Sequence, residues 1–165
     1  MNPYDFAIQM SRDGEKFFRT LAKKVKRPGL RKILATLAAD QADHCRAFEE
    51  MKGLSGEPPL SLKGLSGATN PFARRLKKLD RGEKVEENLP PGELYRRGQV
   101  LDAECENFYL ERAGRVKDTR LKQALLGLAE HQRKHSVSLE HLINFITEPQ
   151  QGLEDAEWNV AQPLE

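Results

Sequence analysis

The chain has 165 residues, which is long enough for one domain with a sizeable hydrophobic core. Its 27 basic and 25 acidic side chains are mostly interspersed and leave a net charge of +2, which argues against nucleic acid or an anionic membrane as a partner. No apolar run approaches a membrane span, and the N-terminal MNPYDFAIQM lacks the basic start and apolar core of a signal peptide, so we expect a cytoplasmic protein.

The first third of the chain predicts two helices. Asn2 and Pro3 supply an N-cap and a first-turn proline, and apolar residues then recur at helical spacing. Pro28 breaks this run and can start a second helix, which Gly53 ends. Because the break is short, we expect a helical hairpin over residues 2–52.

A long connection follows, over residues 53–90, with GLSG written twice and the proline pairs of EPP and LPP. Antiparallel neighbours need only a short loop, so this length predicts a crossover from one end of the helical domain to the other. Asn70 and Pro71 predict the cap and first turn of a short helix inside it. We expect the basic segment ARRLKKLDR, residues 73–81, to be a solvated face of that helix rather than a lipid or nucleic-acid surface.

The last part of the chain predicts a second hairpin, over residues 91–149. Its first helix is expected to run to about Lys117, and Asp118 caps the second. The tail, residues 150–165, holds the only tryptophan and is expected to be an arm that packs on the domain or on a second subunit.

Sliding the sequence along itself reveals one internal repeat at an offset of 91 residues, without a gap. The paired positions are Glu15/Glu106, Phe17/Phe108, Phe18/Tyr109, Ala22/Ala113, Val25/Val116, Leu30/Leu121, Leu34/Leu125 and Leu37/Leu128. Random short matches do not hold one register over this length, so we interpret the chain as two copies of one structural unit. Two helical hairpins predict an all-α fold, an antiparallel four-helix bundle over residues 1–149.

Each copy carries a Gln-x-x-His motif on a face of leucine and alanine, LAADQADH at 37–44 and LAEHQRKH at 128–135. Residues i and i+3 share a helix face, so each glutamine projects together with its histidine. The offset of 91 also pairs Ser11 with Asp102, on the apolar face of the preceding helix in each copy. The side chains expected at one level of the interior are Ser11, Gln41, His44, Asp102, Gln132 and His135.

At these residues the sequence resembles the rubrerythrin-related branch of the ferritin-like superfamily. The similar stretches are DFAIQMSRDGEKFFRTLAKKV with LRKILATLAADQADH, and LDAECENFYLERAGRVKD with LLGLAEHQRKH. The tail sequence LEDAEWN resembles the C-terminal arm of that branch, so the resemblance covers nearly the whole chain. It implies a four-helix bundle, usually dimeric, whose members commonly hold two irons and reduce peroxide or oxidise ferrous iron.

The family's diiron site takes a glutamate from each of two helices and a Glu-x-x-His from each of the other two. Here only His44 and His135 match outright, and Asp102 keeps a carboxylate that is one methylene shorter. A serine replaces the other helix glutamate, and glutamine replaces both motif glutamates. Because burying cations without compensating anions is costly and an amide is a poor bridging ligand, these changes argue against a normal diiron centre.

Other residues offer alternatives. Glu15 and Glu106 lie one turn beyond the Ser/Asp positions and either swing inward as accessory ligands or remain at the rim. Cys105 is expected to face inward, either as a thiolate in a zinc set with two imidazoles and a carboxylate or as a buried structural cysteine. His131 and His141 are expected on the surface.

Three functions are therefore compared. The first is a metal-binding protein with a reduced, carboxylate-poor site for zinc or iron, and the second is a metal-free helical scaffold that binds partners. The third is a diiron peroxidase or ferroxidase, which needs an external electron donor because two cysteines cannot form a rubredoxin-like module. The resemblance also implies a homodimer. The metal-site candidates are His44, His135, Asp102, Gln41 and Gln132, with Glu15, Glu106, Cys105 and Ser11 as possible accessories.

Overall fold

The computed structural model describes residues 2–54 and 70–147, and within them the chain is all-helical, with five helices and no strand. The helices are α1 (Pro3–Lys24), α2 (Pro28–Leu54), α3 (Pro71–Asp80), α4 (Pro91–Arg115) and α5 (Thr119–Thr147). The prediction of an all-α chain is confirmed. The second GLSG and the C-terminal arm lie outside the described residues. Across the described ranges, none of the helices combines the length and apolar character needed to span a membrane.

The helices begin where local chemistry predicts. The Oδ1 atoms of Asn2, Asn70 and Asp118 each accept a backbone N–H of the following turn, at 2.8, 2.8 and 3.0 Å. Four of the five helices start at a proline, whose missing N–H would have no helical partner in the first turn. The predicted end of the second helix is one residue early, because α2 continues through Gly53 to Leu54.

Equivalent residues of the two copies adopt the same local structure. Val25 follows α1 with φ −93° and ψ 145°, and Val116 follows α4 with φ −92° and ψ 143°. Phe18 and Tyr109, which the offset of 91 also pairs, are 3% and 1% exposed. At these paired positions the backbone angles and the burial therefore agree between the two copies.

Most interhelical contact lies within two pairs of helices, α1 with α2 and α4 with α5. Lys52, near the end of α2, bonds Asp5, near the start of α1, with 2.6 Å between Nζ and Oδ1, so these two helices run antiparallel. Smaller contacts join α2 to α4 and α1 to α5. Large side chains that are at most 2% exposed include Leu34, Leu37, Leu125, Leu128 and Ile143.

The short helix α3 lies against α1 and α4. Phe72 is fully buried, and its ring centroid lies 6.0 and 5.9 Å from those of Phe17 and Phe18. Arg75 forms two hydrogen bonds of 2.9 Å to the carboxylate of Glu104 on α4. The other basic side chains of α3 are exposed.

Candidate metal site

The polar residues that the repeat places inside the domain are indeed buried. Their exposed fractions are 1% for Ser11, 3% for Gln41, 3% for His44, 1% for Asp102 and 2% for Gln132. His135 keeps 16% of its side chain exposed. The prediction that both Gln-x-x-His motifs face the interior is confirmed for the first motif and for Gln132, and His135 lies at the edge.

His135 on α5 is held at both ring nitrogens by carboxylates of other helices. Its Nδ1 lies 2.5 Å from Oδ2 of Asp102 on α4, and its Nε2 lies 3.2 Å from Oδ2 of Asp40 on α2. Burial by itself lowers the pKa of His135, but hydrogen bonds and charge from these two carboxylates outweigh it and raise the pKa to about 9. At neutral pH the ring is therefore an imidazolium that bridges α2 and α4.

Asp102 is the one fully buried acid in this cluster. Burial raises the pKa of its carboxyl group, while hydrogen bonding with His135 and with the Gln41 amide pulls that pKa down. We assign the shared proton to His135, because the imidazole has a second carboxylate, Asp40, to stabilise its charge. Asp102 is then a carboxylate whose Oδ2 accepts a hydrogen bond from the imidazolium of His135.

His44 on α2 is neutral. Burial lowers its pKa well below the usual 6.5, and electrostatic interactions with His135 and His131 lower it further. Its Nδ1 lies 2.6 Å from Nε2 of His131, and its ring meets that of His135 edge to face with 4.5 Å between the centroids. The two motif histidines thus meet, one neutral and one charged.

The structure shows that the sequence-based placement of His131 on the surface is wrong. His131 is half-buried, contacts His44, and packs with its ring centroid 5.0 Å from that of Phe48. A rotation of about 100° from Gln132 turns it toward α2 rather than toward solvent. His141 is exposed, as predicted.

A second contact of the site, from Asp40 to His135, was also missing from the sequence-based set. Asp40 and His131 each precede the glutamine of a Gln-x-x-His motif, and the offset of 91 pairs them. Each contacts the motif histidine of the other copy. The repeat pairs the two positions, but it does not show that either side chain reaches the opposite histidine.

Three of the accessory candidates, Glu15, Glu106 and Cys105, do not belong to the converging group of ligand atoms. Glu15 accepts a 2.9 Å hydrogen bond from Arg19 on its own helix, and Glu106 is half-buried. Cys105 does face inward, fully buried, with its Sγ 3.4 Å from Sδ of Met10. Burial, with the negative charge of Asp102, raises the pKa of the Cys105 thiol, so it is a protonated thiol rather than a thiolate ligand.

Within the described residues, three potential ligands converge: His44, Asp102 and His135 offer atoms that all lie within 4.8 Å of one another. Among the described residues, six buried side-chain polar atoms lack a hydrogen-bond partner. These atoms are Ser11 Oγ, Gln41 Oε1, His44 Nε2, Asp102 Oδ1, Tyr109 OH and Gln132 Oε1. Buried polar atoms are normally paired, so this concentration is unusual. Three of them are side-chain oxygens, of Gln41, Asp102 and Gln132, which can accept a hydrogen bond or bind a cation.

Gly14 is required for the close approach of Gln41 to α1. A Cβ at Gly14 would lie 2.8 Å from Gln41 Oε1 and 3.0 Å from Phe72 Cε2. We expect Gly14→Ala to lower the free energy of unfolding by about 1 kcal/mol, because overpacking outweighs the gain in helix propensity. The control, Gly114→Ala in α4, meets nothing within 4 Å and should raise it by up to about 1 kcal/mol. Urea denaturation measures both, and equal stabilisation would contradict the close contact.

No protein-family model and no curated protein matches the chain. A solved structure of a hypothetical protein from Pyrococcus furiosus is similar, with a TM-score of 0.48, 19% identity and 86% of each chain covered. A likeness at this level identifies neither a family nor a function. The geometry of the site is therefore the basis for the functional inference.

Proposed function

We propose that this protein binds one divalent metal ion, with zinc as the best fit, through His44, His135 and Asp102. The observation that carries the proposal is that three ligand-type side chains from α2, α4 and α5 converge within 4.8 Å, and two of them, His44 and Asp102, have a buried atom without a hydrogen-bond partner. Two imidazoles and one carboxylate are ligands that zinc accepts, and His135 coordinates it after its imidazolium has released a proton. A zinc ion held there would cross-link three helices.

We further propose that the fold is a rubrerythrin-related, ferritin-like four-helix bundle formed by α1, α2, α4 and α5. Two observations support it: the repeat pairs α1 with α4 and α2 with α5, and five residues at the family's ligand positions are buried while the sixth, His135, lies at the edge. The short connections within each copy also fit two antiparallel hairpins.

The donor set does not fit the two irons that the family commonly holds. Asp102 is the only carboxylate among the six positions, whereas the family's diiron site takes four. Gln41 and Gln132 offer neutral amide oxygens, which are poor bridging ligands for iron. A single ion needs less compensating charge, and Asp102 with the nearby Asp40 supplies it.

A metal-free helical scaffold is the second candidate, and the Asp40–His135–Asp102 contacts favour it. The imidazolium already lies between two carboxylates, at 3.2 and 2.5 Å, so it acts as a cation that the protein itself provides. Buried charges paired in this way are tolerated without an external ion. In this case the protein would act through partners that bind its surface.

The test is metal content per chain, measured by elemental analysis on protein purified without an affinity tag. The measurement is made before and after incubation with zinc or with ferrous iron under anaerobic conditions. We expect about one zinc per chain, lost in His44→Ala and in His135→Ala because each removes one of only three ligands. His141→Ala, which changes an exposed histidine on the same helix as His135, is the matched control and should keep the metal.

Absence of bound metal in folded protein under every condition would overturn the metal-binding proposal in favour of the scaffold. Two irons per chain would also overturn it, and would mean that acids outside the present cluster move inward to complete a diiron centre. Retention of zinc by both histidine variants would place the metal elsewhere.

A further inference from the structure

We propose that His131 is a positioning residue for His44: it accepts a hydrogen bond from Nδ1–H of His44 and so leaves the buried Nε2 as the nitrogen that coordinates metal. This inference rests on the proposed metal site and adds to it a residue outside the family-type ligand positions. His131 itself does not belong to the converging group of ligand atoms.

The distance between the two rings leaves room for one proton. Nδ1 of His44 and Nε2 of His131 are 2.6 Å apart, so only one of these nitrogens carries hydrogen. If it is Nδ1 of His44, the buried Nε2 is a bare lone pair. If it is Nε2 of His131, the neutral His44 must carry its proton on Nε2, where no acceptor lies within hydrogen-bond distance. A buried N–H without an acceptor is the less tolerated arrangement.

The rings are fixed in this relation by Phe48. This side chain is fully buried, stacks on His44 with 14° between the ring planes, and meets His131 edge to face. His44 and His131 are themselves close to perpendicular, at 78° with 4.7 Å between centroids. A partner that orients a ligand histidine and fixes its tautomer is a general feature of metal sites.

The equivalent position in the other copy supports the same role. Asp40, which the offset of 91 pairs with His131, lies 3.2 Å from Nε2 of His135. Both copies therefore place the residue before the motif glutamine against the histidine of the opposite copy. The shared geometry, with two different residue types, points to a positioning function rather than to chance packing.

The tautomer of His44 can be measured directly by long-range ¹H–¹⁵N correlation NMR on metal-free, ¹⁵N-labelled protein. We expect Nδ1–H in the wild type. His131→Leu removes the acceptor and should populate the Nε2–H form, whereas His131→Gln offers a carbonyl oxygen and should keep Nδ1–H. His141→Leu, on the same helix but exposed, is the control and should change nothing.

Zinc affinity gives the functional readout. His131→Leu should bind zinc about 10-fold to 100-fold more weakly, and His131→Gln should recover most of the loss. An Nε2–H tautomer in the wild type would overturn the inference, and this result does not depend on whether any variant folds. An unchanged zinc affinity in folded His131→Leu would overturn it as well. If the wild type bound no zinc while His44 was Nδ1–H, the proposed function would have failed and the hydrogen bond would stand.

Discussion

Asp102→Ala is expected to lower the free energy of unfolding of the metal-free protein by about 3 kcal/mol near neutral pH. The variant leaves the His135 imidazolium, only 16% exposed, without its closest anion. Removing one partner of a buried ion pair is costly because the remaining charge stays desolvated, and Asp40 at 3.2 Å offsets only part of that cost. Denaturant unfolding of chelator-treated protein measures the change.

A surface ion pair on the same helix provides the control. Glu104→Ala breaks the two hydrogen bonds to Arg75, whose side chain is 34% exposed, and should cost at most about 1 kcal/mol. If Asp102→Ala were no more destabilising than Glu104→Ala, the buried pair would not stabilise the fold. Asp102→Ala should also abolish zinc binding, since it removes the only carboxylate of the proposed ligand set.

Raising the pH from about 7 to about 9 should destabilise the metal-free protein by about 2 kcal/mol. The pKa of His135 is about 9 in the folded protein and near 6.5 in the unfolded chain, so over this range the folded state binds more protons. Its stabilisation is complete below about pH 6.5 and is lost as the pH rises through about 9. The unfolding free energy in urea, measured at several pH values, gives the slope.

His135→Gln should remove most of this slope, and His141→Gln should keep it. His44 contributes nothing over the same range, because its pKa is lowered and it is neutral in both states there. The buried Cys105 thiol, whose pKa is raised, also lowers the free energy of unfolding as the pH rises, but mainly above about pH 9, where the thiol of the unfolded chain ionises. A wild-type stability that is flat between about pH 7 and about pH 9 would show that His135 is not held as an imidazolium.

Below neutral pH the two motif histidines have opposite effects. His44 has a lowered pKa in the folded protein, so at acid pH its imidazole is protonated more readily in the unfolded chain than in the folded one. The free energy of unfolding therefore falls as the pH falls. His135, with its raised pKa, gains only the last part of its stabilisation as the pH falls to about 6.5. The two effects partly cancel, so the alkaline side reports the Asp102–His135 pair more clearly.

Local features of the fold were predictable because they depend on neighbouring residues. The caps at Asn2, Asn70 and Asp118 act within one turn, and each is found where the sequence predicts it. The repeat likewise predicted that Gln41 and Gln132 would be buried, since both lie on apolar helix faces. The ferritin-like bundle and its metal site remain predictions.

Contacts between the two copies were not predictable in the same way. His131 points about 100° away from Gln132 around the axis of α5. Whether that direction leads to solvent or to His44 depends on where α2 packs. The charge of His135 has the same origin, because it depends on carboxylates that α2 and α4 bring to its two nitrogens. Helix periodicity describes one helix at a time and contains no information on such distances.

The pairing of Asp40 with His131 also bears on the way such a site can diverge in evolution. A symmetric assembly of two identical chains must carry the same residue at both equivalent positions, and one mutation changes both. Because both copies here belong to one chain, position 40 holds a carboxylate and position 131 an imidazole, facing different partners. Duplication within a single gene thus lets one half of the centre change while the other half is inherited unaltered.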